Sequence, residues 1–288
     1  MEEQKLFLMS LKNDFAFKLI FGDEKNKDLL AAFLGAVLKM PQVEFEGLEI
    51  INNELMREFK EDKKGILDVR ARLRDGKQID IEIQILPTDF MPQRTLYYWS
   101  KMYMGQVKTG DPYNKLTKCI TINIVDFNCL PLKKMHTVFH MIEDETGYRL
   151  TDILEVHFLE LTKLFNKETG KDEDEEVVDW MMFIGTQSER VIEMLAEKNG
   201  NIKKAYDILQ IISKDEKARM LYEAREAELK DQVTRMMEAE QKGNLKGKLE
   251  GKRDVALKML DMGLDLNTVA KVTDLSLEEL EKLKRDIH

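Results

Sequence analysis

The run from Leu67 to Ile85, LDVRARLRDGKQIDIEIQI, leaves this chain little freedom in its local fold. Val69, Ala71 and Leu73 alternate with Asp68, Arg70 and Arg72. Ile79, Ile81, Ile83 and Ile85 alternate with Gln78, Asp80, Glu82 and Gln84. Alternation with period two over that length means a strand pair with one face on a core. Loop length then decides which side chains meet. A two-residue turn at Asp75-Gly76 sets Asp68 opposite Ile83 and pairs charged with apolar positions along the ladder. A three-residue loop, Arg74-Asp75-Gly76 with Gly76 in the left-handed region, sets Asp68 opposite Glu82 and Val69 opposite Ile81. Only the second register keeps every apolar side chain on one face. It also brings two carboxylates side by side, with Gln84 two residues further along the same face.

Like charges directly opposite one another destabilise a sheet. From spacing alone two readings stay open. One is a solvated polar face, its acids neutralised by Arg70 and Arg72, with Asp80 a further acid that need not be a ligand. The other is a cation between the carboxylates. Two acidic oxygens, with water and phosphate filling the remaining positions, is how proteins usually hold Mg²⁺. A metal so placed can activate water, polarise a phosphoryl oxygen and stabilise a leaving group.

The order Asp68, then Glu82-Ile83-Gln84 after a hairpin, resembles the PD-(D/E)XK nuclease superfamily, with Gln in the usual Lys position. Asp14 to Gly22 (DFAFKLIFG) resembles the opening motif of the Rpn-like family of recombination-promoting nucleases, also described as transposases. Arg94 to Trp99, Tyr113 to Phe127 and Leu159 to Lys163 carry the same likeness. It covers most of the first ~165 residues, one domain's length. The resemblance implies a metal-dependent DNA endonuclease hydrolysing phosphodiester bonds, of low sequence specificity and linked to recombination, mobile elements or defence. Its catalytic residues are Asp68, Glu82 and Gln84. Its Mg²⁺ (or Mn²⁺) ligands are Asp68, Glu82 and the backbone carbonyl of Ile83. Gln offers only an amide dipole where Lys would carry charge. Either Gln84 positions water while the metal supplies the electrostatics, or a nearby cation such as Lys18 substitutes. If only polarity matters there, Gln84→Lys retains or raises activity.

Asp14 and Lys18 are four apart, hence neighbours on one helix face. They read as a surface ion pair or as accessory groups, Asp14 an outer ligand and Lys18 near phosphate. Arg94 and Tyr98 share a face in the same way and are candidates for the DNA backbone. Lys63, Lys64, Lys101 and Lys108 are further candidates for phosphate, each also readable as a solvated lysine. Tyr97, Tyr98, Trp99 and Tyr103 read as core rather than as a base-stacking platform.

The net charge of −9 argues against a generally adhesive DNA binder. The acidity is uneven, however. Residues 1–130 hold 19 Lys+Arg against 20 Asp+Glu, leaving 26 against 34 in the remainder. The nuclease-like half is thus near neutral, and DNA affinity there should be modest and salt-sensitive. No run of eighteen apolar residues appears, so no membrane span is expected. The start MEEQKLFLMSLKND lacks a basic segment and a cleavage site. Cys119 and Cys129 read as reduced thiols of a cytoplasmic protein. His136 and His140 read as strand and loop rather than as a zinc pair. No nucleotide cofactor is implied.

The pattern along the chain predicts a mixed α/β sheet flanked by helices, a restriction-endonuclease-like core, with an all-helical C-terminal part. Helices are expected over 12–21 (capped by Asn13 or Ser10), from Leu29 to Leu38 and from Pro92 to about Val107. Val43 to Leu55 reads as extended and Lys118 to Phe127 as a buried strand. Val138 to Ile142 and Ile153 to Phe158 read as two further strands around a Glu143–Gly147 turn. The expected divisions are a core at 1–165, a helical extension at 166–240, and a Gly/Lys repeat with a small helical module at 241–288. Gly243, Gly247 and Gly251 recur every four residues, which suits either close helix approach or flexibility. From Asp254 three short helices are expected: one ending at Gly263, one across Thr268–Val272, and one capped by Ser276 with Glu279. The last pair is similar to a helix-turn-helix, but Glu278, Glu279 and Glu281 sit near the end where a DNA-reading helix needs neutral or basic residues. That charge pattern favours oligomerisation, and a homodimer through these helices supplies the two sites of a double-strand cut. The rival is a catalytically inactive DNA-binding or assembly protein that keeps the nuclease fold.

Overall fold

A computed structural model describes residues 7–51, 68–164 and 174–286. The chain divides into two compact units, Met1–Glu226 and Ala227–His288.

In the first unit the described residues form a six-stranded sheet in the order β1-β2-β3-β4-β6-β5. The strands are β1 (Glu49–Ile50), β2 (Val69–Arg72), β3 (Gln78–Gln84), β4 (Cys119–Val125), β5 (His136–Phe139) and β6 (Leu154–Glu160). β2 and β3 are the hairpin. The Leu73 N–H donates to the Lys77 carbonyl at 2.9 Å, closing a three-residue loop in which Gly76 has φ +88°. Val69 faces Ile81 and Arg70 faces Asp80, the register that alternation required. β3, β4 and β6 then run parallel, and β5 returns antiparallel at the far edge.

Helices α1 (Asp14–Phe21) and α2 (Lys27–Leu38) begin the layer on one face. Asn13 caps α1 by accepting the Phe15 N–H. α2 ends at Lys39 in the left-handed region, two residues before Pro41. Ile79, Ile81, Ile83, Ile120, Ile122 and Ile124 project into this layer, all buried. α4 (Glu175–Gly185), α5 (Glu189–Lys198) and α6 (Gly200–Lys214) share the same apolar cluster. Trp180 of α4 packs edge-on against Phe21 of α1 and Phe33 of α2, both at 5.9 Å between ring centroids. α3 (Met91–Met104) covers the opposite face, where Met91 meets Val125, Val156 and Phe158, and Met102 meets Cys119.

Two expectations change. The segment from Val43 is extended only at Glu49–Ile50; Gln42–Phe45 forms a 3₁₀ turn, and residues 52–55 lie outside the described region. The polar face of the hairpin is not solvated, since Asp80 and Glu82 are 0% and 3% exposed beneath α3. β3 sits in the interior of the sheet, so both of its faces are covered.

The second unit comprises most of α7 (Glu216–Asp261), then α8 (Leu266–Thr273) and α9 (Leu277–Asp286). The Gly243, Gly247 and Gly251 repeat is continuous helix, and a Cβ at any of them meets nothing within 4 Å. Ala256, Val269, Leu275 and Leu280 form the small core that joins these helices. The Ser276 N–H donates to Glu279 Oε2 at 3.0 Å while the Glu279 N–H donates to Ser276 Oγ at 3.2 Å, the reciprocal capping box read from the sequence. Ser276→Ala should destabilise α9 by about 1 kcal/mol. Amide exchange at Leu277–Leu280 should speed up about fivefold, and unchanged exchange would show the cap to be idle.

Candidate active site

Asp68 lies just before β2, and the hairpin register carries it next to Glu82. Its N–H donates to Glu82 Oε1 at 3.1 Å, and its Oδ2 accepts the Ile83 N–H at 2.8 Å. On an extended strand a residue's N–H and C=O point to the same edge, so the Ile83 carbonyl is directed to the side where Asp68 lies. Gln84 accepts from Arg94 Nη1 at 3.2 Å through Oε1 and donates through Nε2 to the Leu86 carbonyl at 3.0 Å.

Arg70, opposite Asp80, acts on that carboxyl by its charge, but neither it nor Arg72 makes the ion pairs of Asp68 and Glu82. Arg70 directs Nη2 at Gln78 Oε1 (2.6 Å), and Arg72 is exposed. Lys18 of α1 meets Asp68 Oδ1 at 2.8 Å and Asp14 Oδ2 at 3.5 Å, so the i,i+4 pair is also part of the site. Arg94 of α3 reaches Glu82 Oε2 at 3.2 Å, with its guanidinium carbon 5.3 Å from the Tyr98 ring centroid. All seven side chains singled out from the sequence, Asp14, Lys18, Asp68, Glu82, Gln84, Arg94 and Tyr98, converge on one place. Of the other cations, Lys101 lies 5.9 Å from the Tyr97 ring centroid, Lys108 sits in a turn with Asp111, and Lys63 and Lys64 lie outside the described residues.

Two contributors were missed. Arg225, near the start of α7, meets Asp14 Oδ1 at 2.7 Å, and Glu226 beside it accepts from Asn13 Nδ2 at 2.8 Å. They come from more than 200 residues downstream, and no local pattern marks them. His136 turns instead to His157, with Nε2 and Nδ1 2.9 Å apart, while His157 Nε2 meets Glu155 at 2.8 Å. These three groups lie on the sheet face opposite Glu82.

The electrostatics are those of crowded, dehydrated acids. Burial, and then the Asp68 charge, push the Glu82 carboxyl up to about 8, against the pull of Arg94. Burial raises Asp68 as well, with Lys18 opposing. Asp80 is pushed well above the usual carboxylate range, by burial first and then by Glu82 and Asp68. Neither Asp80 oxygen has a hydrogen-bond partner. For Lys18, burial pulls the ammonium down, but Asp68 and Asp14 outweigh it and leave its pKa raised. Among the described residues no group of three or more His, Cys, Asp or Glu is arranged to enclose a metal ion. The available donor set is two carboxylates and a carbonyl, the open type that leaves positions for water and phosphate.

A mixed sheet between helical layers, with an acidic pair and a following Gln on its central hairpin, defines a nuclease fold of the PD-(D/E)XK class. Residues 11–239 match the PD-(D/E)XK nuclease family transposase family, and the chain belongs to it. Residues 249–285 match the C-terminal HTH domain of the Rpn/YhgA-like nuclease family. The helix-turn-helix likeness that the acidic α9 counted against is therefore this region's family description. No curated protein and no solved structure matches the chain. Among the described residues no helix is long and apolar enough to cross a membrane.

Proposed function

We propose that the chain is a divalent-metal-dependent DNA endonuclease whose hydrolytic residues are Asp68, Glu82 and Gln84. The observation that carries this reading is the crowding of Asp68, Asp80 and Glu82 on adjoining strands beneath α3, with Asp80 lacking any hydrogen-bond donor. A cation relieves such surplus negative charge and reverses the upward pKa shifts it causes. Asp68, Glu82 and the Ile83 carbonyl would hold Mg²⁺ or Mn²⁺. When bound, the ion supplies a Lewis acid for the phosphodiester and a more acidic water. The chain's own residues do the rest. Gln84 orients water through its amide, having no proton to give or take as acid or base. Lys18 and Arg94 supply the positive charge toward phosphate oxygens that Gln84 lacks. Tyr98 holds the Arg94 guanidinium over its ring. The HTH domain of residues 249–285 supplies a second DNA contact, and pairing of two chains through the C-terminal helices gives the two sites of a double-strand cut.

The deciding experiment is plasmid nicking by the full chain with Mg²⁺, with Mn²⁺ and with EDTA, alongside an RNA substrate. Cleavage of DNA only with metal is the expected result. No cleavage under either metal sinks the enzyme reading and leaves a DNA-binding protein on a nuclease fold.

Of the two outcomes open for Gln84→Lys, the contacts of Gln84 favour loss, since both ends of its amide are engaged. Lysine there cannot accept from Arg94 and sets two cations together. With a second cation beside Arg94 and no acceptor left for water, Gln84→Lys should cut kcat/KM about tenfold or more. Retained or raised activity would show that an acceptor at this position is dispensable.

A further inference from the structure

Each carboxylate that would ligate a cation already carries a side-chain cation. Lys18 Nζ is 2.8 Å from Asp68 Oδ1, and Arg94 Nη2 is 3.2 Å from Glu82 Oε2. A divalent ion competes for these same oxygens, so both contacts have to give way to it. Lys18 has an alternative in reach, since Asp14 Oδ2 on its own helix is 3.5 Å away. Arg94 has a counterpart in Asp80. That residue precedes Glu82 by two on β3 and shares its face, about 6.6 Å along the strand. It is 0% exposed, and neither of its oxygens accepts a hydrogen bond. The Arg94 Nε is also buried and without an acceptor. An unsatisfied buried acid and an unsatisfied buried donor thus lie beneath one helix, each lacking what the other has. Arg70, opposite Asp80, acts on it by charge while its Nη2 donates to Gln78, so Asp80 has a neighbouring cation but no hydrogen bond, and the hydroxyl of Thr121, beside Asp80 on β4, makes none either.

We propose that Asp80 is a positioning residue that receives the Arg94 guanidinium when a divalent cation takes Glu82. The arginine exchanges one carboxylate for another without leaving the site. The Tyr98 ring, 5.3 Å from the guanidinium carbon, is the surface across which it turns. The same movement withdraws Arg94 Nη1 from Gln84 Oε1 and frees that oxygen for water. This inference rests on the reading of Glu82 as a cation ligand.

The test is calorimetric titration of the full chain with Mn²⁺ alone, for the wild type, Asp80→Asn, Arg94→Ala and the double variant, with metal-free thermal melts alongside. Asp80→Asn should weaken Mn²⁺ binding about tenfold, because Arg94 then has only Glu82 to hold. It should also raise the metal-free melting temperature, by removing an unsatisfied buried acid. Arg94→Ala should tighten Mn²⁺ binding, and in that background Asp80→Asn should no longer weaken it. If Asp80→Asn does not fold, Asp80→Ser takes its place. Equal weakening in both backgrounds would mean that Asp80 meets the cation directly, and it overturns the proposal. No weakening in either background overturns it too. A wild type that binds no Mn²⁺ removes the nuclease reading itself, a result distinct from a wild type that binds with additive variants.

Discussion

Asp68→Ala and Glu82→Ala should each abolish metal-dependent cleavage, lowering kcat/KM by about a thousandfold or more. Metal stabilisation of developing charge is worth several kcal/mol, and each ~1.4 kcal/mol is a factor of ten. The fold should survive, and for Glu82 it should respond to pH in a particular direction. The Glu82 carboxyl is pushed up to about 8 by burial and by Asp68, against an unfolded value near 4.5. A carboxyl raised in the folded state binds its proton more tightly there. Its contribution to stability is therefore complete below the unfolded value and is lost as pH rises through about 8. Metal-free wild-type protein should lose stability between pH 4.5 and 8, and Glu82→Ala should flatten that slope while cleaving nothing. Urea titrations at several pH values measure the slope, and plasmid nicking with Mn²⁺ measures the activity. An alanine variant that cleaves like the wild type would remove both residues from the site.

The second large effect is expected two strands along the sheet from Gln84. Glu160, at the end of β6, is fully buried and accepts the N–H groups of Cys129 (2.7 Å) and Leu130 (3.2 Å) on one oxygen. Its other oxygen meets Lys163, whose ammonium also donates to the Leu130 carbonyl at 3.0 Å. This pair staples the chain after β4 onto β6, which gives a structural role to the Leu159–Lys163 segment that resembled a family motif. Removing Lys163 leaves a buried carboxylate without its counter-ion, at a cost of about 3–5 kcal/mol. Lys163→Met should lower the urea midpoint accordingly. The double variant Glu160→Gln, Lys163→Met should recover much of the loss, because a neutral pair of similar volume carries no uncompensated charge. A double variant as unstable as the single one would assign the loss to packing.

Local chemistry made much of this molecule legible. Asn13 and Ser276 cap the helices they precede because their side chains accept otherwise unpaired N–H groups. The apolar face of β4 follows from Ile120, Ile122 and Ile124, with Thr121 and Asn123 alternating onto the other face. What local chemistry misjudged was the surroundings of the polar hairpin face. Arg70 and Arg72 stood nearest the acids in sequence, yet the ion pairs of Asp68 and Glu82 are made by Lys18 and Arg94, and Arg70 acts on Asp80 instead. Adjacency along a strand says which face a side chain takes, not which helix lies over that face.

The sequence by itself determined the hairpin register. Side chains alternate with a period of two, so only a three-residue loop keeps Val69 and Ile81 on the apolar face, and Asp68 then has to stand beside Glu82. Only the tertiary structure decided that these acids are buried, that Asp80 is left without a donor, and that Arg225 closes the chain of charges through Asp14 and Lys18. The reason is separation along the chain. The acids lie on two strands joined by a short turn, whereas the groups that dehydrate and neutralise them come from α1, α3 and α7, brought together by an apolar core whose contacts carry no local signature.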